Sequence, residues 1–158
     1  MTRILPIKHQ AKLPIDRLIR TDPPNADAIE MDVLFVGAGP AGLAGAIELA
    51  RLAKADPGLG DLNIGVLEKA GSLGEHCLSG AVINPRALIE LFPDVPLSEM
   101  PLRQPVSGEA VYLLTEQRSW RLPTPPTMEN HGNYVASLCE VVRWMGAQAE
   151  GLGVNIFA

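Results

Sequence analysis

An apolar run that ends in three closely spaced glycines constrains the fold of this chain more than any other feature. Residues 33–36 are Val-Leu-Phe-Val, and Gly37, Gly39 and Gly42 follow with the spacing G-x-G-x-x-G. A short apolar segment rich in β-branched and aromatic residues predicts a buried parallel strand. The segment 43–53 then predicts a helix, so the glycines mark a strand-to-helix turn.

Each glycine of this turn has its own physical role. Gly37 permits the sharp turn, and Gly39 has no β carbon, so a pyrophosphate can approach the backbone. Gly42 lets the helix pack close to the strand, and Ala46 and Ala50 continue the same small surface at helical spacing. The helix N-terminus offers N–H groups and a partial positive charge to phosphates. This pattern predicts a dinucleotide site.

An acidic residue follows where such a site needs one. Residues 62–67 predict a second strand, and Glu68 stands at its end, 26 positions after Gly42. The usual separation is about 20 residues, so we expect a slightly long loop over 54–61. A carboxylate there accepts hydrogen bonds from ribose hydroxyls and repels a 2′-phosphate, which favours FAD or NAD over NADP. Together these elements predict a Rossmann-like β-α-β unit.

Composition excludes several classes of function. The chain has 158 residues, a net charge of −5 and 4% aromatic residues, which argues against a nucleic-acid partner. Its two cysteines, Cys77 and Cys139, are far apart in sequence and lie in no C-x-x-C motif. We therefore predict two reduced, buried thiols rather than a disulfide, and no metal site. No apolar stretch reaches the 18 residues of a membrane span.

The first 30 residues predict an N-terminal arm rather than part of the fold. The first 20 residues carry five basic side chains and one acid, which resembles a transit peptide, but they include no serine and are interrupted by Pro6 and Pro14. We interpret 1–30 as a bacterial-type arm. Residues 31–158 are then predicted to form the nucleotide-binding part.

The later sequence predicts a second region between parts of this fold. Residues 70–80 form a glycine-rich loop, which offers backbone N–H groups to a cofactor ring. Asn84 and Pro85 predict the start of a short helix that ends near Phe92. The segment 94–130 predicts an inserted region, and its candidate elements are a proline-rich connection over 94–105 and a hairpin formed by 109–114 and 119–122. A helix from Leu138 and a third strand over 154–157 complete the pattern.

Five short blocks carry a resemblance to a known family. They occur in the order Val36–Leu43, Glu68–Ala70, His76 with Leu78–Ala81, Glu90–Asp94, and His131–Tyr134 with Trp144–Gly146. Together they resemble the electron transfer flavoprotein–ubiquinone oxidoreductase family. The resemblance spans residues 31–158 and implies an α/β fold of the glutathione-reductase type.

The resemblance also implies cofactors, partners and a location. Such an enzyme uses FAD, a [4Fe–4S] cluster and ubiquinone, and it passes electrons from reduced electron transfer flavoprotein to the membrane quinone pool. It is attached to one face of a bacterial or mitochondrial inner membrane without spanning it. The implied FAD contacts are Gly37, Ala38, Gly39, Pro40, Ala41, Gly42, Glu68, Lys69, His76, Ser79 and Gly80. The flavin supplies the chemistry, so no catalytic side chain is expected.

The chain departs from the family in length and in cysteine content. A [4Fe–4S] cluster requires four cysteines, and the sequence has two. We therefore expect an N-terminal fragment or a truncated reading frame, incomplete at its C-terminus, inactive alone and poorly stable. Residues 33–36 should form a central strand, one edge of which the chain leaves exposed. The alternatives are another FAD-dependent enzyme of this fold, of the geranylgeranyl reductase or aromatic hydroxylase type, or a bare nucleotide-binding module.

One segment is a candidate for contact with a membrane. Residues 73–97 follow the predicted cofactor loop, and the helix 85–92 within them is dense in large apolar side chains: Leu88, Ile89, Leu91 and Phe92. We predict that this segment touches the bilayer. The alternative, that these side chains pack beneath the sheet, stays open at this point.

Overall fold

The computed structural model describes residues 14–15 and 21–158. The chain divides into two units at Glu30, and the unit Met31–Ala158 contains the elements named below. Its strands are β1 Val33–Val36, β2 Ile64–Leu67, β3 Ala81–Ile83, β4 Leu102–Pro105, β5 Val111–Leu114, β6 Ser119–Leu122, β7 Tyr134–Ala136 and β8 Asn155–Phe157. Its helices are α1 Pro40–Ala55, α2 Arg86–Leu91 and α3 Leu138–Gly151. Most of the first 20 residues of the predicted arm, including Pro6, lie outside the described residues.

Strands β1, β2 and β8 form a parallel sheet in the order β1-β2-β8, so the predicted α/β class is confirmed. Val33 pairs with Ile64 and Val36 pairs with Leu67, which brings the carboxyl ends of β1 and β2 to the same level. Helices α1 and α3 pack against each other beside this sheet. The largest fully buried side chains of the unit are Leu43, Ile47, Val66, Phe92, Val142 and Met145.

The face of this sheet that points away from the helices exposes apolar side chains. Phe35 points towards α1, where a β carbon on Gly45 would lie 2.7 Å from its ring. Side chains alternate along a strand, so Leu34 and Val36 lie on the opposite face, and they are 46% and 84% exposed. Among the described residues, β1 pairs with β2 on one edge only. The predicted exposed edge is therefore present, and β1 is not a central strand here.

A second sheet, in the order β3-β7-β4, is absent from the sequence predictions. No strand is predicted over 81–83 or 134–136, and 102–105 belong to the predicted proline-rich connection. Each of these strands has three or four residues, too few for an alternating pattern to be recognised. A bulge between Leu102 and Gln104 interrupts the pairing.

Helix α2 and the residue after it bury two of the four apolar side chains that were predicted to touch a membrane, whereas Ile89 is 45% exposed. Leu88 and Phe92 are 7% and 2% exposed, and Phe92 meets the ring of Trp144 edge-on at 4.6 Å. The guanidinium of Arg51 lies 5.0 Å from the centre of the Phe92 ring and donates a hydrogen bond to the carbonyl of Leu91. The prediction of an outward apolar surface on this helix is thus wrong for Leu88 and Phe92. Positions four apart on one helix share a face, and here that face joins the core.

The predicted hairpin is confirmed. Strands β5 and β6 pair antiparallel, with Leu113 opposite Trp120, and the turn is closed by a 2.8 Å hydrogen bond from the Thr115 N–H to the Arg118 carbonyl. The predicted helix from Leu138 and the third strand are also present. Within residues 14–15 and 21–158, no helix has both the length and the apolar character needed to cross a bilayer.

Candidate functional site

The turn between β1 and α1 has the backbone shape that the glycine spacing predicted. Gly37 has φ +104°, a conformation that side-chain-bearing residues rarely adopt, and its N–H donates to the Leu67 carbonyl at 2.7 Å. Helix α1 begins at Pro40, where a missing N–H costs nothing. The N-cap residue is Gly39, which has no side chain to occupy the N–H groups of the first turn. The start of α1 therefore suits an anion.

Gly39 and Gly42 are needed for opposite reasons. A β carbon on Gly42 would lie 2.0 Å from the carbonyl oxygen of Gly37, so this glycine lets the helix and the turn pack together. A β carbon on Gly39 would meet no protein atom within 4 Å. The space in front of Gly39 is open, as the close approach of a phosphate requires. The structure thus separates a packing glycine from a glycine that faces the open cleft.

Glu68 is held in place by backbone N–H groups from two segments. Its two carboxylate oxygens accept hydrogen bonds from the Ala38 N–H at 3.0 Å and from the Ala70 N–H at 2.9 Å. The Ala70 N–H, and to a smaller extent those of Ala38 and Lys69, hold the pKa of Glu68 below its usual value against the opposing effect of partial burial. Glu68 therefore joins the end of β2 to the glycine turn as an ionised carboxylate with a fixed orientation.

These segments enclose a cleft of about 590 Å³ at the carboxyl ends of β1 and β2. Six predicted site residues line it: Gly37, Ala38, Gly39, Glu68, Lys69 and His76. The other five predicted site residues, which are absent from the lining, are Pro40, Ala41, Gly42, Ser79 and Gly80. Pro40, Ala41 and Gly42 lie in the first turn of α1, next to the cleft. The volume is within the range of small-molecule sites.

Four further lining residues were missed: Val36, Leu67, Gly74 and Cys77. Val36 and Leu67 are the last residues of β1 and β2, and ligands bind outside the carboxyl ends of parallel strands, so their position was a usable signal. Gly74 has φ +77°. It is one of three glycines in the loop 70–80, so nothing in the sequence marked it as a residue that lines the cleft.

The loop 70–80 forms one wall of the cleft and rests on α3. A β carbon on Gly74 would lie 2.7 Å from the Cys139 carbonyl oxygen, and the Arg143 side chain donates to the Leu73 carbonyl at 3.1 Å. A β carbon on Gly146 would lie 2.2 Å from a methyl carbon of Leu73. The wall is thus positioned by close contacts with residues 139–146 of α3.

We expect acid to remove the stabilisation that Glu68 provides. Its pKa is lowered in the folded state, so the stabilisation is complete above the usual carboxyl range and is lost as the pH falls below about 4. The free energy of unfolding of the Glu68→Gln variant should therefore lie below that of the parent chain at pH 7 and approach it towards pH 3. Urea unfolding between pH 7 and 3 measures both. Glu150→Gln, at an exposed carboxylate, is the control. A difference in the free energy of unfolding between the parent chain and Glu68→Gln that does not change with pH would contradict this prediction.

Comparison with known proteins shows which proteins this chain is similar to. No protein-family model matches the chain. The mitochondrial electron transfer flavoprotein-ubiquinone oxidoreductase of Dictyostelium discoideum is 50% identical over 135 residues, which cover 85% of this chain. A probable electron transfer flavoprotein-ubiquinone oxidoreductase of Acinetobacter baylyi is 48% identical over 135 residues, 83% of this chain. The chain is a homologue of electron transfer flavoprotein–ubiquinone oxidoreductases.

The homology covers a limited part of the relatives. The chain spans 22% of the length of the Dictyostelium discoideum oxidoreductase and 24% of the Acinetobacter baylyi oxidoreductase. The relatives include both mitochondrial and bacterial electron transfer flavoprotein–ubiquinone oxidoreductases. The resemblance stated from the motif blocks is therefore confirmed for the segment that the chain contains.

Solved structures support the fold of this homologue. A geranylgeranyl bacteriochlorophyll reductase-like protein of Thermoplasma acidophilum superposes with a TM-score of 0.51 at 24% identity, over 80% of this chain and 29% of that one. CtdE in complex with FAD and a substrate superposes with a TM-score of 0.52 at 22% identity, over 81% of this chain and 30% of that one. At these identities the match shows a shared fold.

Proposed function

We propose that this chain is the FAD-binding part of an oxidoreductase that passes electrons from reduced electron transfer flavoprotein to ubiquinone. The observation that carries the proposal is the joining of Glu68 to the glycine turn at the mouth of an open cleft. The homology to electron transfer flavoprotein–ubiquinone oxidoreductases supplies the class of reaction.

The residues of the cleft fit FAD. The open space at Gly39 and the N-terminus of α1 suit a pyrophosphate. The carboxylate of Glu68 retains lone pairs that can accept hydrogen bonds from ribose hydroxyls, because each oxygen accepts one backbone hydrogen bond. Its negative charge disfavours a 2′-phosphate, which argues for FAD over NADP. Lys69 and His76 line the same cleft and add donors near the cofactor.

The flavin, when bound, supplies the electron transfer, and the chain supplies position and electrostatics. Gly37 and Gly39 leave room for the phosphates, and Glu68 holds the adenosine end. The loop 70–80 forms the wall on the other side of the cleft. Ser79 and Gly80 belong to the outer part of that loop and are proposed to reach the flavin ring. The proposal for this chain stops at FAD, because the [4Fe–4S] cluster that the family implies needs four cysteines and the sequence has two. Among residues 14–15 and 21–158 no group of three metal-binding side chains occurs.

Titration with FAD and FMN tests the flavin assignment. FMN lacks the adenosine that Glu68 is proposed to hold, so FAD should bind to the purified chain at least about 100-fold more tightly. Equal affinities would overturn the adenosine site, and no affinity for either flavin would favour a bare nucleotide-binding module. NADP should not compete with FAD.

A chimera tests the reaction. Residues 31–158 replace the matching segment of the Acinetobacter baylyi oxidoreductase, and ubiquinone reduction by reduced electron transfer flavoprotein is measured. Restored turnover supports the proposal, and a matched chimera with Gly39→Val should be inactive. A chimera that holds FAD yet does not reduce ubiquinone would favour another FAD-dependent enzyme of this fold.

The hairpin, rather than helix α2, supplies the surface that we propose touches the membrane. Leu113 pairs with Trp120 and Val111 pairs with Leu122, so one face of the hairpin is entirely apolar. Its side chains Leu113, Trp120 and Leu122 are 53%, 45% and 41% exposed, and Leu114, on the other face beside the turn, is 71% exposed. Within the described residues, β5 and β6 pair only with each other. An apolar face of this size on a hairpin usually has a partner.

A lipid bilayer is the partner that this chemistry fits best. Trp side chains favour the interface between lipid tails and water, and arginines such as Arg118 and Arg121 reach headgroups while their stems stay apolar. Ubiquinone, which the relatives' name includes, is an apolar quinone of the membrane. The protein is thus proposed to attach to one face of the membrane, as the family implies. The segment Leu73–Leu97 is proposed to make a smaller contribution to the membrane contact, through Leu78, Val82 and Ile89, which are exposed.

Replacing Leu113 and Leu122, which share the apolar face of the hairpin, together by serine should release the chain from vesicles. We expect the affinity for phosphatidylcholine–phosphatidylglycerol vesicles, measured by co-sedimentation, to fall by at least about tenfold, because a leucine contributes roughly 1.5–3 kcal/mol when fully buried and these two are already about half buried. FAD binding should not change, since neither side chain lines the cleft.

Two matched double variants decide where contact occurs. Leu52→Ser with Leu59→Ser removes leucines of similar exposure elsewhere, 53% and 44%, and should leave vesicle binding unchanged. Leu78→Ser with Ile89→Ser tests the originally predicted segment. A larger loss in that second variant than in the hairpin variant would return the membrane site to residues 73–97.

A further inference from the structure

Two cysteines that are far apart in sequence meet at the wall of the cleft. The Cys139 thiol donates to the carbonyl oxygen of Cys77 at 3.1 Å, and it lies 3.4 Å from the carbonyl oxygen of Leu78. Both thiols are free, and both residues are partly exposed. The sequence-based prediction of two reduced, buried thiols therefore agrees with the structure in that both are free, and is wrong in that both are only partly buried. Their meeting follows from the seating of the loop 70–80 on the first turn of α3.

The two cysteines lie on different structural elements, with Cys77 at the cleft and Cys139 on α3. Cys77 lines the cleft, at the end of a turn in which its N–H donates to the Gly74 carbonyl at 3.0 Å. Cys139 is the second residue of α3. Burial and then the neighbouring Cys139 raise the pKa of the Cys77 thiol, which is consistent with two sulfurs close enough to interact. No metal-binding group of three side chains includes them among the described residues, so a cation does not explain the pair.

We propose that Cys77 and Cys139 form a reversible disulfide that locks the wall of the cleft to helix α3. The sulfur of Cys139 already contacts the backbone of Cys77, so side-chain rotation with a small backbone adjustment brings the two sulfurs together. The oxidant is a peroxide. Two thiols and one hydrogen peroxide give one disulfide and two waters, and two electrons pass from the sulfurs to the peroxide oxygens.

The lock has a direct structural consequence. The wall is held on α3 by the close approach of Gly74 to the Cys139 carbonyl and by the hydrogen bond from Arg143 to the Leu73 carbonyl. Neither contact is covalent. A disulfide would add a cross-link that encloses the 62-residue separation between the two cysteines. Cross-links over long loops stabilise proteins mainly by restricting the unfolded chain. Under oxidising conditions the wall that carries His76 and Cys77 would therefore stay closed on α3.

Treatment of the purified chain with hydrogen peroxide tests this. We expect the monomer fraction to contain a peptide pair linked through Cys77 and Cys139, to lose both free thiols together, and to gain about 5 °C or more in thermal midpoint. Dithiothreitol should reverse all three changes. Cys77→Ser and Cys139→Ser should each keep one thiol and show no gain in midpoint. Circular dichroism identifies any variant that fails to fold.

Three results would contradict the proposed disulfide. Disulfides only between chains, or sulfinic acids at separate cysteines with no linked peptide, would overturn the proposal. The linked peptide forming equally fast in urea would also overturn it, because the folded contact would then have no part in the reaction. None of these results depends on flavin binding, so the proposed function stands or falls separately.

Discussion

Replacing Gly42 by alanine is expected to destabilise the nucleotide-binding unit by at least about 3 kcal/mol. The new β carbon would lie 2.0 Å from the carbonyl oxygen of Gly37 and 3.3 Å from its carbonyl carbon. Overpacking costs about 1–3 kcal/mol where side chains can yield, and here both opposing atoms belong to the backbone. Helix α1 would have to move away from the turn that Gly37 makes. Urea unfolding followed by circular dichroism measures the loss.

Gly108→Ala is the matched control for this change. The same methyl group is added, a β carbon there meets no atom within 4 Å, and φ at Gly108 is not in the left-handed region. The free energy of unfolding should stay within about 0.5 kcal/mol of the parent chain. If Gly42→Ala and Gly108→Ala unfold at the same urea concentration, the close packing of α1 on the turn is not a source of stability.

The β-α-β unit was predictable because several local signals agree there. Three local signals restrict the backbone there: the apolar run 33–36, a turn that needs a positive φ at Gly37, and the small residue Gly42. The structure has β1, the turn and α1 at the positions that these signals indicate. The same holds for the hairpin, in which two apolar runs flank a four-residue turn. Periodicity over 14 residues likewise placed α3.

The second sheet and the burial of α2 depend on contacts that no local pattern encodes. Strands β3, β4 and β7 come from segments far apart in the chain, and β7 joins the other two. The apolar residues of α2 were equally compatible with core and membrane until the position of Trp144 and Arg51 around Phe92 was known. Short elements take their environment from tertiary packing, so sequence alone left that choice open.

The cleft was predictable in its phosphate half and much less so in its outer wall. Gly39 and Glu68 follow directly from the ends of β1 and β2, where parallel strands place ligands. The proximity of Cys77 and Cys139 follows instead from the contact between Gly74 and the Cys139 carbonyl, 65 positions along the chain. Spacing in sequence carries no information about such a meeting, so nothing in the sequence indicates contact between the two cysteines.

Replacing Gly39 by valine is expected to abolish FAD binding without unfolding the chain. Gly39 has φ −75° and ψ 176°, an extended conformation that β-branched residues adopt readily, and a β carbon there meets no protein atom within 4 Å. The side chain would instead fill the space in front of the α1 N-terminus, where a pyrophosphate must approach the backbone. We expect FAD affinity to fall by about 100-fold or more, equivalent to ~2.7 kcal/mol.

The contrast with Gly42→Ala makes this result specific. Gly39→Val should keep the unfolding transition of the parent chain while losing flavin absorbance after gel filtration, whereas Gly42→Ala should lose both. Gly108→Val, on open surface, should keep both. Retention of FAD by Gly39→Val at the parent's affinity would show that the phosphates do not lie at this turn. Loss of the folded state in Gly39→Val would instead show that the open space is occupied by the protein itself in solution.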